Sequence, residues 1–173
     1  MNEVLNCLET RRSVRKYLPK QIADAELNAI LEAGIYAPTA MGRQSPKIVV
    51  LQKPEDVAEL ERMNAAVLGN PDSHPFYGAP TVLVVLADAK AGTAVEDGSL
   101  VLGNLMNAAH ALGVGSCWIH RAREEFASGE GKALLKRWGI EGDWVGVGHC
   151  ILGYAAEPAA PAKPRKTDYI VRV

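Results

Sequence analysis

Residues 81–86 read Thr-Val-Leu-Val-Val-Leu, an uninterrupted apolar run that is mostly β-branched. Such a run is typical of a strand buried on both faces, because a strand with one face in water alternates apolar and polar residues. A sheet that contains it needs a cover of helices on each side. The longest apolar run, at 82–87, is also far shorter than the roughly 20 residues that span a bilayer, so no membrane segment is predicted.

The remaining sequence can supply that cover. Apolar residues at helical spacing predict helices at 2–10, from Asp24 to before Pro38, and at 54–67, 96–112 and 130–138. Short apolar segments predict strands at 48–51, 116–119 and 145–152, the last weakened by its glycines, and turn-forming residues predict loops at 39–46 and 69–80. Two helices precede the first strand, so a single layered domain, α+β or α/β, is expected over residues 1–173. Residues 157–173 should form an extended arm, since 157–165 are rich in Pro and Ala.

Charge and cysteine content exclude several classes of protein. A net charge of −1 gives no general attraction to nucleic acid or to a membrane surface. The cysteines, Cys7, Cys117 and Cys150, are odd in number and far apart, which excludes a disulfide scaffold and a Cys-based zinc site. The first residues lack the apolar core of a signal peptide. A soluble protein of the reducing cytoplasm is therefore expected.

No catalytic or metal-binding set of side chains can be recognised. The four histidines, at 74, 110, 120 and 149, lack ligand spacing, so no metal is expected, and His110 is interpreted as structural. Cys117 is interpreted as a small buried strand residue. Glu96 and Asp97 are interpreted as acids of a first helical turn. Neither a Gly-x-Gly-x-x-Gly fingerprint nor a Walker A loop is present.

Two basic clusters stand out in this nearly neutral chain. Arg11, Arg12, Ser13 and Arg15 bring three guanidinium groups and a hydroxyl into five residues, which suits a phosphomonoester. A solvated basic turn is the alternative. Residues 163–166, Lys-Pro-Arg-Lys, lie on the predicted arm and could close the same anion site from the other side.

Four segments in order along the chain resemble the motifs of the nitroreductase family. They are ETRRSVRKYLPKQI, EAGIYAPTAMGRQSPKIVVLQ, AAHALGVGSCWI and GHCILGYAAEPAAPAKPRK, which together span residues 9 to 166. The resemblance implies an α+β fold with a central, mostly antiparallel sheet flanked by helices. It also implies a homodimer that binds FMN at its interface.

The resemblance also implies roles for individual residues. Arg11, Arg12, Ser13 and Arg15 would contact the phosphate and ribityl chain, and Lys163 and Arg165 would complete the phosphate site. The flavin would meet Pro38, Thr39, Ala40, Met41 and Gln44 from the other subunit, and Ser116, Cys117 and Trp118 along a ring face; for Trp118 a plain core position is the alternative. Backbone N–H groups of His120 or Arg121 would point at flavin N5.

One position departs from the family pattern. The loop carries Gly42 where the family often has Asn, so a side chain that could bond the pyrimidine edge of the flavin is missing. Asn64, in the following predicted helix, is a candidate replacement. The chain is also short for the family, which leaves little room for insertions that shape a substrate pocket.

The leading functional hypothesis is an FMN enzyme that passes hydride from NADH or NADPH to a nitroaromatic, quinone or enone-like acceptor by a ping-pong mechanism. Flavin carries the redox step itself, so the lack of an acid–base set is expected. Other FMN chemistry, such as dehalogenation or oxidative chemistry, is the first alternative. A flavin-binding carrier or sensor without turnover is the second.

Overall fold

A computed structural model describes residues 2–173. Its helices are α1 (Glu3–Thr10), α2 (Asp24–Ile35), α3 (Pro54–Leu68), α4 (Ala94–Ala111), α5 (Ala122–Ala127) and α6 (Gly129–Arg137), and a single 3₁₀ turn spans Ala40–Gly42. Its strands are β1 (Pro46–Leu51), β2 (Thr81–Asp88), β3 (Gly115–Ile119) and β4 (Trp144–Gly153). The capping chemistry explains several boundaries: the Asn2 side chain accepts from Val4 N–H at the start of α1, and Gly69, with φ 75°, ends α3.

The strands form one sheet in the order β1-β2-β4-β3, and every pairing is antiparallel. The predicted α+β class with a mostly antiparallel sheet is therefore confirmed. β2 lies in the interior of the sheet, and all its residues except Asp88 are buried, as the apolar run predicted.

Alternate residues of β2 feed two cores on opposite faces of the sheet. Leu83 and Val85 pack with α2 and α4 in the first core, which also contains Ile30, Leu102 and Leu105. Val82 and Val84 pack on the other face with Leu60, Phe76, Phe126 and Leu134 from α3, the 69–80 loop, α5 and α6. Burial on both faces thus follows directly from period-two alternation in a strand with no polar side.

The glycines of β4, expected to weaken the strand, serve close packing in the structure. β4 has ten residues and pairs along both edges. The pairing with β2 shifts by one residue between Val85 and Leu86, and this places a bulge at Gly146–Gly148. A Cβ atom at Gly146 would lie 2.1 Å from the carbonyl oxygen of Ala122, so only glycine lets α5 approach this strand.

Helix α5 was not predicted from the sequence. It has six residues, too few for apolar periodicity to stand out, and it begins after Arg121, whose φ of 82° lies in the left-handed region. The other differences lie at element ends: α4 begins two residues before the predicted position, and β1 begins two residues before it.

The two ends of the chain lie on the surface. All three apolar residues of α1 are exposed, with Val4 at 65%, and residues 155–173 are exposed and lack helices and strands. The arm starts from a fixed point, because Ala156 N–H donates to Lys16 O and Lys16 pairs with Glu157. None of the helices within residues 2–173 combines the length and the apolar character needed to cross a membrane.

Candidate cofactor site

The basic segment at 11–15 is anchored to the edge of the sheet. It follows α1 directly and runs beside β3, where Ser13 and Ser116 form a parallel bridge and Val14 N–H donates to Ser116 O at 2.9 Å. Tyr17 O–H donates to Val14 O, which holds the end of the segment in an extended path. The arginines therefore project from a fixed backbone next to β3.

The two basic clusters lie together, as the sequence suggested. A cavity of about 310 Å³ is lined by five cations and Ser13, with no carboxylate among its lining residues; we call it the basic cavity. The arm supplies one wall and the segment after α1 supplies the other: Arg11, Arg12, Ser13, Arg15, Ala160, Pro161, Ala162, Lys163 and Arg165. Such a concentration of positive charge needs an anion to offset it.

Two buried polar atoms next to this cavity fit an absent anion. Arg11 Nη1 and Ser116 Oγ have no hydrogen-bond partner among the described residues, although both are inaccessible to solvent. Leaving such groups unsatisfied costs about 1–3 kcal/mol each, and more for a charged group. Arg12 already uses part of its hydrogen-bonding capacity within the chain, since its Nη1 donates to the carbonyls of Glu9 and Arg11. The donor set therefore suits a phosphate group that accepts several hydrogen bonds.

His110 lies close to the same arginines and bonds Thr10 Oγ1 at 2.9 Å, which agrees with its interpretation as structural. Burial lowers the pKa of His110, and the positive charges of Arg11 and Arg12 lower it further. The imidazole is therefore held neutral near neutral pH, and it adds no charge to the cavity.

The second predicted contact region is the α2–β1 loop, residues 36–45. Met41 and Gln44 adopt φ of 56° and 52°, in the left-handed region that non-glycine residues rarely occupy. The tip is open to solvent, with Met41 84% exposed. Thr39 and Gln44 line a cavity of about 330 Å³ with side chains from α2, β1 and α4, and this cavity shares no lining residue with the basic cavity.

Asp97, interpreted from sequence as an ordinary first-turn acid, organises this loop. Its carboxylate is 3% exposed and accepts from Ala40 N–H at 3.0 Å, Ser45 Oγ at 2.8 Å and Thr93 Oγ1 at 3.3 Å. Burial alone would raise the pKa of Asp97, but these hydrogen bonds and the charge of Arg43 outweigh it and lower the pKa. No sequence signal distinguishes Asp97 from the adjacent Glu96, because its two loop partners, Ala40 and Ser45, lie more than 50 residues away.

The three β3 residues predicted along one flavin face divide between two faces of the sheet. Cys117 packs in the core with α3 and α5, whereas Trp118 packs against the opposite core. Ser116 shares the face of Trp118, because strand side chains alternate. One face of a flavin can therefore meet the side chains of Ser116 and Trp118, or that of Cys117, but not all three.

The turn after β3 is held by a buried amide. Asn64 of α3 is fully buried; its Nδ2 donates to His120 O at 2.8 Å, and its Oδ1 accepts from Arg121 Nε at 2.9 Å. Both groups of the amide thus have partners within the chain, and a flavin contact by Asn64 stays a prediction. The backbone N–H groups of His120 and Arg121 lie in this fixed turn.

One ionisable pair was not anticipated. His149 of β4 bonds Glu125 of α5, both side chains are fully buried, and the His149 ring packs against Phe76 and Phe126. The residues are 24 positions apart and α5 itself was not predicted, so sequence spacing could not join them. Across residues 2–173 no group of three His, Cys, Asp or Glu residues could hold a metal ion.

The comparisons with known proteins agree with this geometry. The family model for the nitroreductase family matches residues 8–76 and 70–154. A crystal structure of a nitroreductase with bound FMN from Bacteroides fragilis is 34% identical, with a TM-score of 0.91, and the match covers 100% of both chains.

Two further relatives come from archaea, and both have the provisional name NADH dehydrogenase/NAD(P)H nitroreductase. The protein from Archaeoglobus fulgidus is 33% identical over 89% of this chain and 86% of its own. The protein from Methanothermobacter thermautotrophicus is 30% identical over 67% of this chain, and the match spans 60% of that protein's length. These matches cover most of the chain, its helices pack on both faces of the sheet, and its motifs follow the family order. The chain therefore belongs to the nitroreductase family.

Proposed function

We propose that this protein binds FMN and is an NAD(P)H-dependent oxidoreductase. The observation that carries the proposal is the basic cavity, which five cations and Ser13 line, with the buried, unpartnered Arg11 Nη1 and Ser116 Oγ on residues at or next to its wall. A terminal phosphate suits this set, because guanidinium groups bond phosphate oxygens in pairs. FMN ends in such a phosphate, whereas FAD continues through a pyrophosphate for which the sequence offers no glycine-rich loop.

The relatives support the cofactor and the electron donor. The Bacteroides fragilis nitroreductase was crystallised with FMN, and the Archaeoglobus fulgidus relative carries an NAD(P)H nitroreductase name. A Bacillus subtilis protein named FMN reductase [NAD(P)H] is 26% identical over 71% of this chain. On the basis of these names, a nicotinamide nucleotide is the proposed reductant of this protein.

The site is complete only in a homodimer. The basic cavity and the cavity beside the α2–β1 loop have no lining residue in common, so no single one of the two contains both halves of the predicted flavin site. Exposed apolar residues such as Val4, Leu8, Ile35 and Leu100 offer a surface for a second copy. A groove of about 470 Å³ between α1 and α4 belongs to the same surface. The loop of one subunit then contacts the flavin held by the other.

The chain's own residues hold the cofactor and shape its surroundings. When bound, FMN supplies the hydride chemistry, so the protein needs no acid–base side chain at the reacting atom. Asn64 fixes the turn at His120 and Arg121, whose backbone N–H groups are proposed to face flavin N5. The pair His149–Glu125 fastens α5 to β4 below this turn.

The electron acceptor is a nitroaromatic, a quinone or an enone-like compound in our proposal. NAD(P)H and the acceptor use the same open flavin face in turn, which predicts ping-pong kinetics. Three free thiols, Cys7, Cys117 and Cys150, support a reducing compartment such as the cytoplasm.

The test is a spectrum followed by an anaerobic reduction. Purified protein should be yellow, release FMN and not FAD on denaturation, and bleach when NADH or NADPH is added without oxygen. Protein that stays colourless with added FMN would contradict the cofactor assignment. Protein that binds FMN but is bleached by neither nucleotide would be a carrier or sensor, and the enzyme proposal would fail.

A further inference from the structure

The α2–β1 loop is held at two points by one carboxylate. Asp97 Oδ1 accepts from Ala40 N–H, in the middle of the loop, and Asp97 Oδ2 accepts from Ser45 Oγ, at its end. Between these two bonds lie four exposed residues, Met41, Gly42, Arg43 and Gln44. Residues 40–45 are thus linked into a closed ring by the side chain of Asp97, which comes from α4.

The anchor itself is rigid. Asp97 lies in the first turn of α4, and its own N–H donates to Thr93 O at 2.9 Å. The next residue, Gly98, is pressed against β4, where a Cβ atom would lie 2.5 Å from Val147 Cγ2. This end of α4 therefore cannot move away from the sheet without loss of core packing.

The loop needs an anchor because its own backbone is unfavourable. Met41, Gly42 and Gln44 all have positive φ, and two of them are not glycine. Such residues persist only where surrounding contacts enforce the conformation. Inside the loop, Gln44 N–H donates to Thr39 Oγ1 at 3.0 Å, but this bond does not attach the loop to the rest of the protein.

We propose that Asp97 is a positioning residue, which holds the α2–β1 loop in the shape that receives the flavin before the cofactor arrives. This inference rests on the proposed binding of FMN. A loop ordered in advance loses less conformational entropy on binding, so its anchor raises affinity without touching the ligand. An anchor that merely stabilised the fold would have no such selective effect on the loop.

Two hydroxyl deletions at the same carboxylate oxygen separate these roles. Ser45→Ala removes a bond between Asp97 Oδ2 and the loop, whereas Thr93→Val removes a bond from the same oxygen to the helix cap. We expect Ser45→Ala to weaken FMN binding by about tenfold, the usual effect of one bond to a charged group, and Thr93→Val to change it by less than about twofold. Asp97→Ala should weaken it further, and Asp97→Asn should restore part of the loss.

Trypsin supplies a readout that needs no cofactor. Arg43 lies at the exposed tip, and a protease cuts there only when the loop opens. In apo-protein, we expect cleavage after Arg43 to accelerate about fivefold or more in Ser45→Ala and Asp97→Ala, with other sites unchanged. Thr93→Val should be cut at the wild-type rate.

Each outcome either supports or overturns the role of Asp97 in positioning the loop. Equal effects of Ser45→Ala and Thr93→Val, or cleavage that rises at all sites together, would overturn the inference and leave Asp97 a general stabiliser. If Asp97→Ala does not fold, the pair of hydroxyl deletions still gives the answer. Failure of the wild type to bind FMN would reject the proposed function, while the cleavage contrast would still test the anchor.

Discussion

The basic cavity and the α2–β1 loop reach the same proposed ligand by opposite means. The basic cavity is built from charges that are adjacent in sequence, Arg11 to Arg15 and Lys163 to Arg165, and its backbone is unstrained. The loop carries little charge, has a strained backbone and depends on a buried carboxylate from α4. In our proposal, the first region supplies binding energy by attraction, and the second supplies it by being ordered in advance. Substitutions should therefore act differently in the two regions.

The largest effect is expected in the basic cavity. Arg11→Ala removes the guanidinium whose Nη1 is buried and unpartnered, and each bond to a charged group contributes roughly 1.5–3 kcal/mol. FMN affinity should fall by about ten- to a hundredfold, measured by fluorescence titration of apo-protein. The matched control is Arg62→Ala, because Arg62 pairs with Glu130 at the surface, outside the cavity. Equal affinity of the two variants would contradict the role of Arg11.

A smaller loss of FMN affinity is expected from a substitution in the loop. Because the loop is proposed to contact the flavin held by the partner subunit, this loss should appear at the partner's site. Gln44→Pro cannot keep φ 52° and removes the N–H that donates to Thr39, so FMN affinity should fall by about tenfold. Mixed dimers of one Arg11→Ala chain and one Gln44→Pro chain should then regain one intact site, because a wild-type loop and a wild-type cavity meet at one of the two flavin sites.

Differently tagged chains allow this mixed dimer to be isolated. At an FMN concentration between the wild-type and variant dissociation constants, flavin absorbance should report about one FMN per dimer. No gain over the parent variants would mean that the loop acts within its own chain, and the dimer arrangement would be wrong.

The stability that Asp97 gives to the loop should fall in acid, whereas the arginines of the basic cavity keep their charge there. Because the folded-state pKa of Asp97 lies below its ordinary value of 3.8, its stabilising effect is full above that value and is lost as the pH falls below it. The stability difference between wild type and Asp97→Asn should be constant from pH 7 to 5 and shrink below about pH 4, measured by urea unfolding. The exposed Asp72→Asn is the control, and a constant difference down to pH 3 would contradict the prediction.

The smallest effect is expected from side chains near the turn after β3. His120→Ala keeps the backbone N–H, and Cys117→Ala changes a side chain inside the core, so anaerobic flavin reduction by NAD(P)H should change by less than about tenfold. Stopped-flow absorbance measures this step. A thousandfold loss with FMN still bound would show that the side chain acts in the chemistry. His149→Ala is unsuitable for this comparison, because it leaves Glu125 buried without its partner.

The two regions also differ in how well sequence revealed them. The arginines at 11–15 could be found because the charges are local and the composition around them is nearly neutral. The two-sided burial of β2 was equally visible, since a fully apolar run has few alternatives. The structural roles of Asp97 and Asn64 could not be predicted, because a single acid or amide on a helix acquires its role only from residues that folding brings to it. The same holds for His149 and Glu125, where the short α5 gave no periodic signal.

The strand order has a consequence for how the molecule is made. β4 is the last strand along the chain, yet it lies between β2 and β3. During synthesis, β3 therefore has no strand partner until residues 144–153 have left the ribosome, and the β2 edge stays open for as long. Pairings over such sequence separations form slowly, and until they form, the unpaired strand edges can pair with other chains. A truncated chain that ends before β4 is thus a natural client for chaperones and proteases, whereas a released chain that ends after residue 153 can complete its sheet.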